Sequence, residues 1–182
     1  MKKIGCLFER DFSRGRPVIT ETVSRGHEWV LNGEGTPTRK WDGSACMVSN
    51  GNLYARLDCK KGKTPPPGAI PCDPLPDPVT GHWPHWVLVT GEPQYRWHIE
   101  AFRGDIIAGT YELVGPKVNG NHEHLDSHLL IRHGADVLDD VPRDFAGLKA
   151  WLGAHRIEGV VFHHPDGRMS KIRRDDFGLE WP

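Results

Sequence analysis

The sequence lacks the features that mark membrane-spanning and secreted proteins. Its longest apolar runs, residues 86–89 and 160–162, are only strand-length, so none could cross a bilayer as a helix. The N-terminus Met1-Lys2-Lys3-Ile4-Gly5 reaches the charged Glu9 after very few apolar residues, too few for the core of a signal peptide. We therefore expect a cytoplasmic protein that does not associate with membranes.

An excess of charge of one sign is also missing. The 23 Lys and Arg residues are balanced by 24 Asp and Glu, which leaves a formal net charge of -1. This balance argues against a polycation that coats nucleic acid through bulk electrostatics, but a local basic groove would still bind phosphates. The 182 residues are enough for one domain with its own core, and the 21 Gly and 15 Pro predict many turns.

Paired metal-ligand cysteines are absent as well. Cys6, Cys46, Cys59 and Cys72 form no C-x-x-C pair, which argues against a zinc ribbon or finger. Without a secretion signal we expect no disulfide framework. The 11 histidines are grouped only loosely, so surface and loop histidines are favoured over a small metal-binding module.

Two β-hairpins are the clearest structural signals. The first joins residues 44–49 to residues 52–57 through Asn50-Gly51, a pair that supplies the positive φ angles of a two-residue turn. The second joins residues 158–163 to 168–173. We also predict a strand at 3–8, a helix within 92–102, strands at 110–114 and 129–132, and a helix after an Asp144 N-cap. The proline-rich residues 62–84 are predicted to form a covering loop outside the sheets. The fold class is therefore α+β with mostly antiparallel strands.

The informative motif is Lys40-Trp41-Asp42-Gly43-Ser44, which we place on a turn at the entrance to the first hairpin. By itself, K-x-D-G is equally consistent with an exposed lysine before a tight Asp-Gly turn. It is followed in order by Glu112, by Glu158-Gly159 and by Lys171-Ile172-Arg173. On a strand, Lys171 and Arg173 would point to the same face and could grip one anion together, although a solvated strand face would look the same.

These ordered segments resemble the motifs of the covalent nucleotidyltransferases, the superfamily of ATP-dependent ligases and mRNA capping enzymes. Lys40-Trp41-Asp42-Gly43 resembles motif I, Glu112 motif III, Glu158-Gly159 motif IV, and Lys171-Ile172-Arg173 motif V. The details are most similar to the phage-type RNA ligase 1 group. The segments that carry that likeness are Lys60-Lys61-Gly62-Lys63 and Glu112-Leu113-Val114-Gly115-Pro116-Lys117-Val118-Asn119.

The resemblance implies a ligase adenylation-domain fold and an ATP-dependent RNA ligase. Lys40 would attack the α-phosphorus of ATP, expel pyrophosphate and hold AMP as a phosphoramidate. An ordinary lysine has a pKa of about 10.4 and is therefore almost entirely protonated at neutral pH. Neighbouring cations or a metal must lower this pKa to favour the free amine. By resemblance, Lys171, Arg173 and a Mg²⁺ or Mn²⁺ ion near Glu158 would lower the pKa of Lys40 and neutralise the charge that develops on the phosphate. Glu112 would bind the ribose hydroxyls. The resemblance further implies phosphate contacts by Lys60, Lys61 or Lys63, a nucleotide contact by Arg56, and positioning of Lys40 by Asp42.

AMP would then pass to an RNA 5′-phosphate, and a 3′-hydroxyl would displace it; end-healing enzymes are the expected partners. Two details depart from the superfamily pattern: residues 129–132 offer no aromatic to stack on adenine, and motif V ends in arginine. Because only nine residues, 174–182, follow motif V, we expect a minimal catalytic domain over residues 1–182 without an appended OB-fold or other C-terminal domain. The alternatives are a DNA nick ligase, a GTP-using capping-like enzyme, and an inactive nucleic-acid-binding relic.

Overall fold

A computed structural model describes residues 1–12, 17–78 and 80–181. Within those ranges the chain forms twelve strands and two α-helices. In chain order they are β1 (Gly5–Cys6), β2 (Phe8–Asp11), β3 (Val18–Val23), β4 (Thr36–Lys40), β5 (Ser44–Ser49), β6 (Asn52–Cys59), β7 (Ile70–Pro71), β8 (Trp83–Leu88), α1 (Arg96–Ala101), β9 (Gly109–Val114), β10 (Leu129–Arg132), α2 (Phe145–Ala154), β11 (Gly159–His163) and β12 (Met169–Arg173). None of the helices in these ranges is long and apolar enough to cross a bilayer.

The chain divides into two compact units. The six-strand unit comprises Met1–Lys3 and Asp42–His133, and the four-strand unit comprises Ile4–Trp41 and Gly134–Pro182. The expectation of one catalytic domain over residues 1–182 stays a prediction, and its last residue lies outside the described part of the chain. All strand pairs but one are antiparallel within the described residues, so the predicted α+β class with mostly antiparallel strands is confirmed.

The four-strand unit contains a sheet of order β1-β12-β11-β4 and a separate β2-β3 ribbon. One face of the sheet carries Val160, Phe162 and Ile172, all fully buried. They belong to a core that also includes Leu148 and Leu152 of α2. The predicted Asp144 cap is confirmed, since its carboxylate accepts a hydrogen bond from the Gly147 amide at 2.8 Å. The apolar stripe of this helix is therefore core packing, as expected.

The six-strand unit is built on one antiparallel sheet of order β10-β9-β5-β6-β8-β7. The predicted hairpin is confirmed as β5 and β6, with Asn50 and Gly51 at φ values of 50° and 73°. Both angles are positive, as a two-residue turn requires. Alternate strand residues face a second core, which buries Cys46, Val48, Leu53, Tyr111 and Leu113 together with residues from α1 and the loop after β9. The predicted strands at 110–114 and 129–132 and the helix within 92–102 also form.

The prediction that residues 62–84 stay outside the sheets is wrong at two places, one within that segment and one at its C-terminal end. Ile70–Pro71 forms β7, and Trp83 and Pro84 begin β8, with Asp58 as the register partner of Pro84. Proline lacks a backbone N–H, but β7 lies at the sheet edge, where a missing donor breaks no interior ladder. The position of β7 at the edge of the sheet therefore accommodates Pro71. Val79 lies outside the described residues.

Two further predictions need correction. The single strand expected at 3–8 is two strands, β1 and β2, separated at the fully buried Leu7. β1 pairs in parallel with β12, whereas β2 pairs with β3, so the chain changes sheets at this residue. Lys40 was expected on a turn at a hairpin entrance, but it is the last residue of β4, paired in the four-stranded sheet.

Candidate active site

Lys40 and Glu158 meet because β4 and β11 are neighbouring antiparallel strands. Lys40 is the register partner of Gly159, the first residue of β11, and Glu158 comes directly before it. The Lys40 Nζ lies 2.5 Å from Glu158 Oε2, and the two side chains are only 22% and 14% exposed. The motif I lysine and the motif IV glutamate therefore form a largely buried ion pair.

Gly159 is at the centre of this arrangement, since Lys40 on one side and Arg173 on the other are both its register partners. A Cβ built on Gly159 would collide with the backbone oxygen of Ile172 and lie 2.9 Å from the Cα of Arg173. Only glycine lets β12 approach β11 this closely. The glycine after the glutamate thus brings the cationic strand alongside Lys40.

The predicted common face of Lys171 and Arg173 is confirmed. Both side chains are partly exposed on β12, while the alternating Ser170 and Ile172 are fully buried. Burial, followed by the positive charges of Lys40, Arg173 and Arg10, lowers the pKa of Lys171 from 10.5 to about 8. The structure therefore places a cation of weakened basicity within electrostatic reach of Lys40.

Arg173 is held by an acid that the sequence analysis did not select. Asp176, only 4% exposed, accepts hydrogen bonds from the Arg173 amide at 3.0 Å and from its Nη2 at 3.0 Å. It also accepts one from Arg10 Nη2 at 2.6 Å. Burial by itself would raise the pKa of Asp176, but the two guanidinium groups outweigh it and lower the pKa. The Asp-Asp pair after motif V was the available signal for Asp176; nothing in the sequence pointed to Arg10.

The donor set around Glu158 is consistent with a divalent cation that also binds phosphate. Among the described residues, no group of three or more His, Cys, Asp or Glu side chains could hold a metal ion by itself. Magnesium commonly takes only one or two protein carboxylates and completes its shell with water and substrate phosphates. Glu158, 14% exposed beside Lys40, fits that single-carboxylate mode.

In the six-strand unit, the Asp42-Gly43 turn is held by two side chains from the segment after β9. Asn119 Nδ2 donates to Asp42 Oδ1 at 2.9 Å and to the Gly43 oxygen at 2.8 Å. The Asp42 amide donates to Glu123 Oε1 at 3.0 Å. Asn119, whose φ is 44°, belonged to the stretch compared with the RNA ligase 1 group, but no role had been assigned to it.

Glu112 lies on β9 with its side chain 14% exposed, and His133 Nε2 lies 2.7 Å from its Oε2. Gly43 is adjacent to it: a Cβ there would lie 2.8 Å from Glu112 Cγ and would collide with the Leu113 oxygen. The motif I glycine and the motif III glutamate are therefore in close contact. The sequence analysis did not select His133. Strand alternation was the available signal, because His133 lies two residues after Ile131, the register partner of Glu112, and so falls on the same sheet face.

The remaining candidates occupy other parts of the six-strand unit. Arg56 lies on the same sheet face as Glu112 by alternation through β5 and β6, but its guanidinium donates to Asp58 Oδ1 and to the Met1 oxygen, both at 3.0 Å. Lys61 and Lys63 are exposed on the turn that follows β6. These three side chains thus do not join the contacts around Glu112.

Comparison with known proteins finds similarity to proteins named RNA ligase 1. The profile of the RNA ligase 1 family matches residues 103–182. RNA ligase 1 of Pongo abelii is 27% identical over an alignment that covers 100% of this chain and 82% of the relative. The chain is thus similar to proteins named RNA ligase 1. RNA ligase 1 of Mus musculus is also 27% identical, over 100% of this chain and 81% of the relative.

A third RNA ligase 1, from Danio rerio, is 31% identical over 60% of this chain and 44% of that protein. The expected resemblance to RNA ligases is thereby confirmed. The residues matched by the RNA ligase 1 profile include Glu112, His133, Glu158, Lys171 and Arg173, whereas Lys40 and Asp42 precede them.

Proposed function

We propose that this protein is an ATP-dependent RNA ligase that works through a lysyl-AMP intermediate on Lys40, with a nucleotidyltransferase fold. The observation that carries the proposal is the buried Lys40–Glu158 pair, with Lys171 on the neighbouring strand. These three residues are the motif I lysine, the motif IV glutamate and the motif V lysine of the resemblance. The relatives named RNA ligase 1 support the choice of RNA as substrate.

In the first step, the Lys40 amine attacks the α-phosphorus of ATP. In the ion pair this nitrogen is an ammonium, which first releases one proton to solvent to give the amine. As the amine attacks, a phosphorus–nitrogen bond forms, the bond to the pyrophosphate oxygen breaks, and a second proton leaves the Lys40 nitrogen. Glu158 Oε2, 2.5 Å from that nitrogen, is within reach to accept this proton. Lys171 contributes positive charge where the phosphate develops negative charge.

Glu158 is the residue that would hold the divalent cation. A bound Mg²⁺ or Mn²⁺ would supply positive charge that neutralises the phosphate oxygens.

Asp176 keeps the Arg173 guanidinium in place through its backbone and side-chain contacts. Arg173 then adds a fixed positive charge beside Lys171 on the same strand face.

In the six-strand unit, Glu112 is the proposed acceptor for ribose hydroxyls. Asp42 is proposed to orient the chain next to Lys40, since Asn119 and Glu123 hold its turn. Lys61 and Lys63, together with Lys60, would contact the outgoing phosphates from their exposed turn. Arg56 remains a candidate for nucleotide contact, because it shares a sheet face with Glu112.

In the later steps, AMP moves from Lys40 to an RNA 5′-phosphate, and an RNA 3′-hydroxyl attacks that phosphate and releases AMP. The proposed role is therefore RNA repair in the cytoplasm, downstream of enzymes that restore 5′-phosphate and 3′-hydroxyl ends.

Covalent labelling tests the first step. We expect α-labelled ATP with Mg²⁺ or Mn²⁺ to label the protein on a denaturing gel, and Lys40→Ala to abolish the label. Lys149→Ala is the matched control, because Lys149 is exposed on α2. A label that survives Lys40→Ala, or that appears with GTP only, contradicts the proposal.

Sealing assays test the substrate. We expect joining of 5′-phosphate RNA ends to exceed joining of a nicked DNA duplex. The reverse order would identify a DNA nick ligase. Absence of label with every nucleotide would contradict the proposal and would favour a nucleic-acid-binding relic or a small metal-binding module.

A further inference from the structure

We propose that His133 is a positioning residue that fixes the Glu112 carboxylate and thereby determines selection for the nucleotide ribose. The inference deepens the proposed function and rests on it, because it takes Glu112 as the ribose-binding group. It starts from the contact between His133 Nε2 and Glu112 Oε2 at 2.7 Å. Both side chains are mostly buried, with exposures of 21% and 14%.

The backbone explains why these two side chains meet. Ile131 on β10 is the register partner of Glu112 on β9, and His133 is two residues beyond Ile131. The His133 amide donates to the Thr110 oxygen at 3.0 Å, so the ladder continues past the end of β10. His133 and Glu112 are therefore diagonal neighbours on one sheet face, a separation that long side chains can bridge.

The hydrogen bonds also assign the proton on the imidazole. The carboxylate can only accept, so Nε2 must carry the hydrogen that joins the two groups. His133 Nδ1 is buried and has no hydrogen-bond partner among the described residues. A proton on that nitrogen would lack an acceptor, so the tautomer with hydrogen on Nε2 is favoured.

The same contact leaves part of the carboxylate for a ligand. Oε2 is bound by His133, and Oε1 receives no hydrogen bond from the described residues. On another side, Gly43 lies against Glu112 Cγ, where even a Cβ would be 2.8 Å away. The side chain is thus restrained from two directions while one oxygen remains to accept a hydroxyl.

A restrained carboxylate binds a hydroxyl with less loss of side-chain entropy than a mobile one. Removal of the His133 side chain should therefore weaken the binding of nucleotides that carry the hydroxyl bound by Glu112. Analogues that lack this hydroxyl should be affected much less. This pattern separates a positioning role from a general effect on folding.

The experiment compares His133→Leu and His133→Gln. Glutamine can place an amide N–H near the position of Nε2, whereas leucine cannot donate. His133→Asn provides a second loss of contact, with an amide too short to reach. His82→Leu is the matched control, because His82 is exposed in the same unit. The readouts are the self-adenylylation rate and the nucleotide concentration for half-maximal rate, with ATP, 2′-deoxy-ATP and 3′-deoxy-ATP.

For His133→Leu and His133→Asn, we expect the half-maximal ATP concentration to rise by up to about tenfold, the size of the entropy cost of ordering one side chain on binding. The maximal rate should change less than twofold, and preference for ATP over one deoxy analogue should fall by a similar factor. His133→Gln should restore most of that preference. Unchanged preference in His133→Leu, or no recovery in His133→Gln when both proteins are folded, overturns the inference.

Equilibrium binding of the same three nucleotides is measured in parallel, since it needs no covalent step. Failure of the wild type to become labelled contradicts the proposed function. The inference fails separately if wild-type binding shows no preference for a ribose hydroxyl, or if the His133→Leu substitution leaves that preference intact.

Discussion

Lys40 and Glu158, 118 residues apart in the chain, lie 2.5 Å apart at Nζ and Oε2. They meet because Lys40 ends β4 opposite Gly159, at the start of β11. The same glycine is opposite Arg173, so three strands bring an amine, a carboxylate and a guanidinium to one end of the sheet. This arrangement makes the four-strand unit the proposed location of AMP attachment.

The lowered pKa of Lys171 predicts a dependence of stability on pH. Because the folded protein releases this proton near pH 8 and the unfolded chain near 10.5, the unfolded state binds more protons between those values. Stability should therefore rise across this window, by at most ~3 kcal/mol for this group. Lys171→Met should remove that rise and abolish labelling at Lys40. Urea unfolding of both proteins at pH 7.5 and 10 checks the difference; parallel pH profiles would contradict it.

Asp176→Asn should destabilise the protein by about 3 kcal/mol at pH 7, because it leaves two guanidinium groups without their buried partner. The lowered pKa of Asp176 means that its contribution is present above the ordinary value of 3.8 and is lost as pH falls through the folded pKa. The difference in the free energy of unfolding between wild type and Asp176→Asn should therefore become smaller at acid pH. Asp175→Asn is the control, since Asp175 is exposed and its nearest Arg173 nitrogen is 3.9 Å away. Equal losses in both variants would contradict the assignment.

Gly159→Ala should cost about 2 kcal/mol of stability and slow labelling, because the added Cβ forces β12 away from β11. Gly153→Ala is a matched control: Gly153 is exposed in α2, and apart from the helix's own backbone a Cβ there would meet no atom of the described residues within 4 Å. Alanine there should stabilise the helix by about 0.5–1 kcal/mol. Thermal unfolding of both variants gives the comparison, and a neutral Gly159→Ala would show that the strands tolerate a side chain.

Asn119→Gly should slow self-adenylylation about tenfold, since it removes both hydrogen bonds to the Asp42-Gly43 turn. Glycine accommodates the φ of 44° at this position, so backbone strain is not introduced. Asn50→Gly is the control at a hairpin turn with a similar φ of 50°. Rates measured with α-labelled ATP should be unchanged in the control; an equal decrease in both would argue for a general effect on folding.

Local rules predicted much of the fold. Asn50-Gly51 has few alternatives to a tight turn, Asp144 caps its helix within three residues, and alternation places Lys171 and Arg173 on one face. Each of these features depends on neighbours in the chain. The error in residues 62–84 has the opposite cause: proline disfavours a strand in general, but whether it lies at an edge depends on distant partners.

The sequence by itself determined the motif residues, their order and the α+β class, because residue type and strand periodicity are local properties. It could not place Lys40 at a strand end, pair His133 with Glu112, or select Asp176 and Arg10 as partners of Arg173. Those relationships depend on strand order and register, which are decided by long-range hydrogen bonding and by how closely two backbones can approach. At Gly43 and Gly159 that approach requires the absence of a side chain, so tertiary structure alone shows why the glycine of each motif is needed.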